Sequence, residues 1–315
     1  MNNHISPRSA AFASSTMLNL LQTGLERLTA GCCTNNNGFS HALVPLETKK
    51  EFVSYVASQY GLETLLKIAV GVETLLDTPT GNALLYQSSP TSLLHKWQRL
   101  EKYIHSNHFI DCEFSDTYVK IRHRSRTSIQ PSCAEDLAVL GVLCALLHQV
   151  TNKPVTLNPT SNARTAIFSY PSLWVSTPLA PRQGQHWYIH WSLPDKTTKI
   201  KRDSKFSEAG GCIKEQTKAA MVKLGLLDIN IIKVAKWLAL STRSLQRRLK
   251  EKNTNFAVLL QQVRVQKASQ ILLSNNTSFA EVGFVCGFSD QAHFSRIFKK
   301  WTGMSPKQYT HININ

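Results

Sequence analysis

The chain is poor in the features that announce insertion into a membrane or covalent chemistry. No stretch approaches eighteen uninterrupted apolar residues, so a membrane-spanning helix is not expected. No basic-then-apolar leader opens the sequence, since Ile5 to Met17 is too short and too polar to insert. The seven cysteines, Cys32, Cys33, Cys112, Cys133, Cys144, Cys212 and Cys286, are odd in number and scattered, without a Cys-x-x-Cys. Reduced thiols in a cytoplasm are the expectation. Cys32-Cys33 could be a redox pair and Cys133, after Pro131-Ser132, a reactive thiol, but incidental cysteine is the better reading of both. No Gly-rich phosphate loop and no nucleophile elbow is present. The close histidines, His105-Ser106-Asn107-His108 and His186 to His190, lack a cysteine or carboxylate set, with Asp111 alone near the first pair. Structural or exposed histidines are expected there, and no metal or cofactor.

Acidic residues are scarce as well. Twenty Asp/Glu stand against 36 Lys/Arg, for a net charge of +16 over 315 residues. The imbalance is uneven, with fourteen Lys/Arg against four Asp/Glu from Val222 to Asn315. Such a surplus favours a polyanionic partner. Charge alone does not separate a sequence reader from a nonspecific basic protein.

What the C-terminal third does contain is one design used twice. Ile231, Ile232, Val234, Ala235 and Leu238 recur at helical spacing, the pattern breaks at Leu240-Ser241, and a new one starts at Leu245 and Leu249. Ser241 is the natural N-cap, its hydroxyl accepting from a first-turn amide. Thr242, Arg243, Ser244, Gln246 and Arg247 then lie on or beside the exposed N-terminal face of the second helix, the end that meets base edges in a helix-turn-helix. Arg243, Gln246 and Arg247 carry the side chains suited to direct readout, arginine for guanine and glutamine for adenine. Lys250 and Lys252 suit phosphates. In the second unit Phe279, Val282 and Val285 form a short helix and Gly287 the turn. Ser289 or Asp290 caps a helix with a buried stripe of Phe294, Ile297, Phe298 and Trp301. Its other face carries Gln291, His293, Ser295, Arg296, Lys299 and Lys300. Phe256 to about Ser274 predicts one joining helix of nineteen residues, roughly 28 Å long against the ~34 Å of a DNA turn.

From about Leu224 to Tyr309 the chain closely resembles the DNA-binding domain of the AraC/XylS family of bacterial transcription regulators. The resemblance rests on Val234-Ala235, Leu240-Ser241, Leu245-Gln246-Arg247 and Leu249-Lys250 in the first half, and on Phe256, Arg264, Ala268 and Leu272 in the joining helix. In the second half it rests on Gly287-Phe288-Ser289-Asp290, on Phe294 to Lys299, and on Trp301, Gly303, Ser305-Pro306 and Tyr309. Asn253, Gly283 and Thr310 depart from the pattern. Asn253 suits a left-handed C-cap and Gly283 costs about 1 kcal/mol of helix propensity.

The N-terminal portion mixes helices and strands. Helices are predicted at Met17 to Leu28, Thr48 to Tyr60, Leu62 to Leu76, Thr91 to Ser106 and Ala134 to Val150. A hairpin is predicted over Cys112 to Arg122 around Ser115-Asp116, and strands near Pro154 to Leu157, Thr165 to Tyr170 and His186 to Trp191. Ala166 to Tyr170 with Pro171 to Leu179, Leu94 to His105, and the strand ending in Arg122-His123 resemble the sensor domain labelled arabinose-binding in some AraC-type regulators. The label does not make arabinose the ligand, and the glycine, histidine and acid alternation of a sugar-binding cupin barrel is missing.

The expected fold is therefore an α+β sensor domain over 1–205, a loose tail at its start and a basic Lys196 to Lys205 stretch at its end. An all-α domain over 206–315 follows, with two helix-turn-helix units joined by a long helix and Ala219 to Leu227 as its first helix or connector. The resemblance implies a cytoplasmic, non-enzymatic regulator that binds promoter duplex DNA, works through RNA polymerase as an activator or by exclusion, and answers to a small-molecule effector. The N-terminal helices could serve a homodimer or simply a core. The alternatives are a bifunctional enzyme and a nonspecific nucleoid or mobile-element protein. DNA-repair alkyl-transfer proteins also carry AraC-type domains, but none of these cysteines sits in their Pro-Cys-His-Arg acceptor context.

Overall fold

A computed structural model describes residues 12–29, 43–76, 78–86, 88–104, 107–192, 212–273 and 278–314. The Lys196 to Lys205 stretch, Cys32-Cys33 and His105 fall outside them. The chain forms two compact units, Met1–Asp195 and Lys196–Asn315.

In the first unit β1 (Phe12–Ser14) leads into α1 (Ser15–Leu28), and β2 (Leu43–Pro45) pairs with β1 before α2 (Leu46–Tyr60). Ser14 caps α1 by accepting from Met17 N–H. Where one helix was expected from Leu62 to Leu76, the chain forms α3 (Leu62–Lys67), a 3-10 turn (Ile68–Val72) and α4 (Glu73–Leu76). The cause is backbone approach between elements. A Cβ on Gly24 of α1 would meet Ile68 O at 1.9 Å, and one on Gly71 would meet Leu20 O at 2.0 Å. The two glycines let α1 and the 3-10 turn touch along their main chains, and the tighter winding follows that contact. Then come α5 (Pro79–Leu85), which the sequence pattern did not suggest, and α6 (Pro90–Ile104).

The expected hairpin is longer than its sequence pattern, β3 (His108–Phe114) pairing with β4 (Tyr118–Ser125) through Ser115 N–H to Tyr118 O at 2.9 Å. Next is α7 (Cys133–Thr151), followed by β5 (Val155–Asn158), β6 (Phe168–Tyr170), β7 (Trp174–Val175) and β8 (Trp187–Trp191). The strand expected from Thr165 begins only at Phe168; Thr165 closes a 3-10 turn, Ala163–Thr165, started by the Asn162 side chain, which accepts from Arg164 N–H at 3.0 Å. All pairs in the six-stranded sheet, ordered β3-β4-β8-β5-β6-β7, are antiparallel. Trp187, Ile189 and Trp191 of β8 alternate inward with Val119 and Ile121 of β4 and with Val155 and Leu157 of β5.

Helix α7 is the spine of this unit. By length and composition it could cross a membrane, but most of it is buried among the unit's own sheet and helices. Ser132 and Glu135 close a reciprocal capping box at its start. Around that end lies a buried group of ionisable side chains: Lys49 of α2, Glu101 of α6, His108 of β3, His123 of β4, and Glu135 and Asp136 of α7.

The second unit is helical: α8 (Ile213–Leu224), α9 (Ile231–Trp237), α10 (Thr242–Glu251), α11 (Phe256–Leu273), α12 (Phe279–Val285), α13 (Gln291–Thr302) and α14 (Pro306–Ile314). Helix α8 starts well before the expected Ala219 and stops at Gly225, whose φ of 81° no helix continues. Two apolar clusters flank α11. Met221, Val234, Ala235, Leu245 and Leu249 pack with Leu259 and Val263 on one side. Val282, Phe288, Phe294 and Phe298 pack with Ala268 and Leu272 on the other. Each helix pair thus buries its stripe against one half of α11.

Candidate nucleic-acid interface

The first pair turns at Leu238–Ser241. Asn230 starts α9 by accepting from Lys233 N–H at 2.9 Å. Ala239 takes φ 55° and Leu240 N–H reaches Ala235 O at 2.9 Å, which reverses the chain. Ser241 is the N-cap of α10: its Oγ accepts from Ser244 N–H at 3.0 Å and donates to Ser244 Oγ at 2.9 Å. Leu245 and Leu249 are fully buried, which fixes the roll of the helix. Arg243, Gln246, Arg247, Arg248 and Lys250 stand exposed as a consequence, with Thr242 and Ser244 half-buried beside the cap. Arg247 lies 3.8 Å from Glu251 one turn on, an exposed pair worth little in water. At the far end Asn253 adopts φ 53°, the left-handed turn its side chain tolerates.

The apolar pattern placed Ile232 with the buried positions, but it is 65% exposed. The inward stripe of α9 is set by Val234 and Ala235, and two residues before Val234 the helix has turned Ile232 outward.

The second pair repeats the plan with different chemistry. Ser278 and Glu281 form a capping box on α12. The turn then passes through Gly287 at φ 78°, where an added Cβ would meet Leu226 O at 2.1 Å. Arg264 of α11 donates to the same carbonyl at 3.4 Å and lies over the Phe288 ring at 5.8 Å. These contacts tie the second turn to the loop ahead of α9. Asp290 is the residue that caps α13, accepting from His293 N–H at 2.7 Å. That bond holds its carboxyl below the ordinary value, and the charge sits well at a helix N-terminus.

Phe294 and Phe298 are buried, Ile297 partly so. Gln291, Arg296, Lys299 and Lys300 are exposed, while Ser295 and His293 are half-buried. His293 is held in the turn, its Nδ1 2.8 Å from Ser289 Oγ and its ring edge-on to Phe288. Trp301, expected in the buried stripe, is 38% exposed. It falls at the rim of the cluster, and its indole N–H donates to Gln261 Oε1 of α11 at 3.3 Å, a polar tip that keeps the ring at the edge.

A family profile described as a helix-turn-helix domain matches residues 234–311, from inside α9 to α14. The DNA-binding dual transcriptional regulator Rns of Escherichia coli is 38% identical over 66 residues, 21% of this chain and 25% of Rns. The porin thermoregulatory protein EnvY of Escherichia coli K12 is 34% identical over 80 residues, 25% of this chain and 32% of EnvY. The C-terminal domain is an AraC-type helix-turn-helix domain.

The AraC-type domain accounts for the matched part alone, since these matches span a quarter to a third of each relative's length. Among solved structures, the C-terminal domain of AraT, a response regulator from Geobacillus stearothermophilus, is 30% identical with a TM-score of 0.30, covering 33% of this chain and 88% of that one.

Two features of the AraC-type domain escaped the sequence reading. The Ser-x-x-Glu box at Ser278 to Glu281 is a signature legible in the sequence. The seat of Gly287 on the Leu226 carbonyl is not, because it joins residues far apart in the chain. Among the described cysteines, Cys112, Cys133 and Cys286 are all held away from the reactive thiolate. Burial pushes the Cys112 and Cys286 thiols up to about 12, and Cys133, which donates to Pro181 O at 3.5 Å, is also held above its ordinary value. Among the described residues no cluster of three or more metal-ligating side chains is assembled.

Proposed function

We propose that this chain is a sequence-specific DNA-binding regulator of transcription whose two recognition helices, α10 and α13, address successive major-groove segments of a promoter. The observation that carries the reading is the matched construction of these helices. Each has a side-chain N-cap, a stripe buried in its own half of the domain, and an exposed polar and basic face at its N-terminal end. Helix α11, eighteen residues long, spans about 27 Å between the halves, near the ~34 Å of one duplex turn.

Arg243, Gln246 and Arg247 read bases in one segment, with Thr242 at the groove edge and Lys250 on phosphate. Gln291, Ser295 and Arg296 address the next segment and Lys299 its backbone, while His293 acts mainly by bracing the cap. Ser241 and Ser244 hold the α10 turn rather than spend their hydroxyls on DNA. Residues 1–205 form the regulatory domain, which responds to a small molecule and changes how residues 206–315 engage promoter DNA and RNA polymerase in the cytoplasm. Methylation interference tests the groove assignment: guanine N7 methylation should block binding in two blocks one helical turn apart. Interference confined to minor-groove positions would overturn it.

A further inference from the structure

Strand β4 carries a cation at every second residue. Lys120, Arg122 and Arg124 alternate with the buried Val119, Ile121, His123 and Ser125, and Arg126 follows just past the strand's end. Side chains two residues apart on a strand leave one face about 6.8 Å apart, so these four form a line of roughly 20 Å on the outer side of the sheet. The neighbouring β3 sets two acids against them, Asp111 at 2.8 Å from Arg124 and Glu113 at 2.9 Å from Lys120. Pairs this open to water are weak and yield readily to a phosphate. Arg124 and Arg126 are steadied over the Phe109 ring, 5.9 and 5.3 Å from its centre. A groove of about 450 Å³ lies here, with Lys120, Arg122, Arg124 and His186 in its wall. That is within the range of about 300 to 1,000 Å³ common for ligand sites.

The strand on the other side of β4 supplies rings. β8 pairs with it, His190 opposite Tyr118 and Tyr188 opposite Lys120. Trp187, Ile189 and Trp191 are buried, so His186, Tyr188 and His190 share the outer face with the cations. The Tyr118 ring lies 5.9 Å from Tyr188 and 5.1 Å from His190, centre to centre. Thr156 of β5, opposite His190, and Ser169 of β6, opposite Thr156, continue that row as hydroxyls.

Cations stepped like the phosphates of an extended nucleic-acid strand, beside a row of rings, discriminate among polyanions. A duplex keeps its bases stacked inside and would leave the rings without partners, and the carboxylates of an acidic peptide come without flat bases beside them. A single strand offers both phosphates and splayed bases, and RNA adds a 2′-hydroxyl for the threonine and serine.

We propose that the outer face of β4 and β8 binds single-stranded RNA, with phosphates along Lys120, Arg122, Arg124 and Arg126, bases on Tyr118, Tyr188 and His186, and ribose hydroxyls toward Thr156. The site lies outside the AraC-type domain and does not depend on how that domain reads a promoter.

Binding of a 12-residue oligouridylate and its deoxyuridine counterpart to the full chain at roughly 150 mM salt, followed by fluorescence anisotropy, tests it. The ribo-oligomer should bind saturably and at least threefold tighter than the deoxy one. Arg122→Gln with Arg124→Gln should weaken it at least tenfold. Tyr188→Leu, which keeps the bulk and removes the ring, should weaken it at least fivefold, and Thr156→Val should erase the preference for ribose. Arg243→Ala with Arg247→Ala in α10 should leave the affinity for the ribo-oligomer within twofold. If Tyr188→Leu fails to fold, His186→Ala at an exposed position decides. A folded ring variant that binds as the parent does would reduce the face to a charge effect and overturn the proposal. Loss of binding through the α10 pair instead of the sheet variants, equal binding of the two oligomers, or no binding of either would overturn it too.

Discussion

At the scale of single residues, α10 separates specificity from affinity. Arg247 is exposed midway along the helix, 3.8 Å from Glu251, and a guanine edge would be a stronger partner than that solvated carboxylate. Arg247→Ala should cost about 1 to 3 kcal/mol on the best operator and relax preference at one base pair, as read from competition between single-base variants. A uniform loss across those variants would remove it from the readers. Lys250→Ala should weaken all sequences alike and lower the salt slope by about 1. Ala239 shows the cost of the turn: at φ 55° its Cβ is strained, and Ala239→Gly should raise stability by about 0.5 kcal/mol after the flexibility gained by the unfolded chain is deducted. Chemical denaturation measures this directly.

At the scale of elements, the turn ahead of α13 depends on main chain meeting main chain. Gly287→Ala would force a Cβ against Leu226 O at a positive φ, so a loss of about 2 to 4 kcal/mol is expected, with α13 loosened from the rest of the domain. Amide exchange along α13 should quicken far more than along α9. The buried end of α7 makes a second prediction. Burial and the neighbouring Glu135 raise Asp136 to about 8, and burial raises Glu101 to about 7. Both prefer their protonated forms when folded, so their stabilisation is complete at low pH and is lost as pH rises through those values. His108 and His123 are lowered to about 3 by burial and act oppositely, but only below about 6.5. Lys49, lowered by burial, acts oppositely below its ordinary value, so the carboxyl contribution is read by difference: from pH 6.5 to 8 Asp136→Asn should lose less thermal stability, or gain more, than the parent chain. An unchanged slope in the variant would refute the assignment.

The elements differ in how openly the sequence displays them, for physical reasons. Helices α10, α11 and α13 are short-range objects: a cap, a periodic stripe and a stop are all written within a few turns, and their bounds match the pattern closely. Ile232 and Trp301 were misplaced because hydrophobicity alone does not say how a helix rolls against its neighbours. The 3-10 turn at Ile68–Val72 and the seat of Gly287 depend on close main-chain approach between distant segments. The Lys49 group draws one or two residues from each of five elements, and nothing local marks it.

For the whole molecule, two basic helices on one small domain fit both a sequence reader and a nonspecific polyanion binder, because the phosphate term is shared. What separates them is geometry: a reader with two helices set by α11 must favour sequence in two places. The direct measurement is selection of bound duplexes from a random pool by the full chain at roughly 150 mM salt, where nonspecific attraction is weakened. Two blocks of sequence preference with centres about one helical turn apart are predicted, with Arg243→Ala and Arg247→Ala altering one block and Arg296→Ala the other. Recovery of duplexes with no shared sequence would contradict the account.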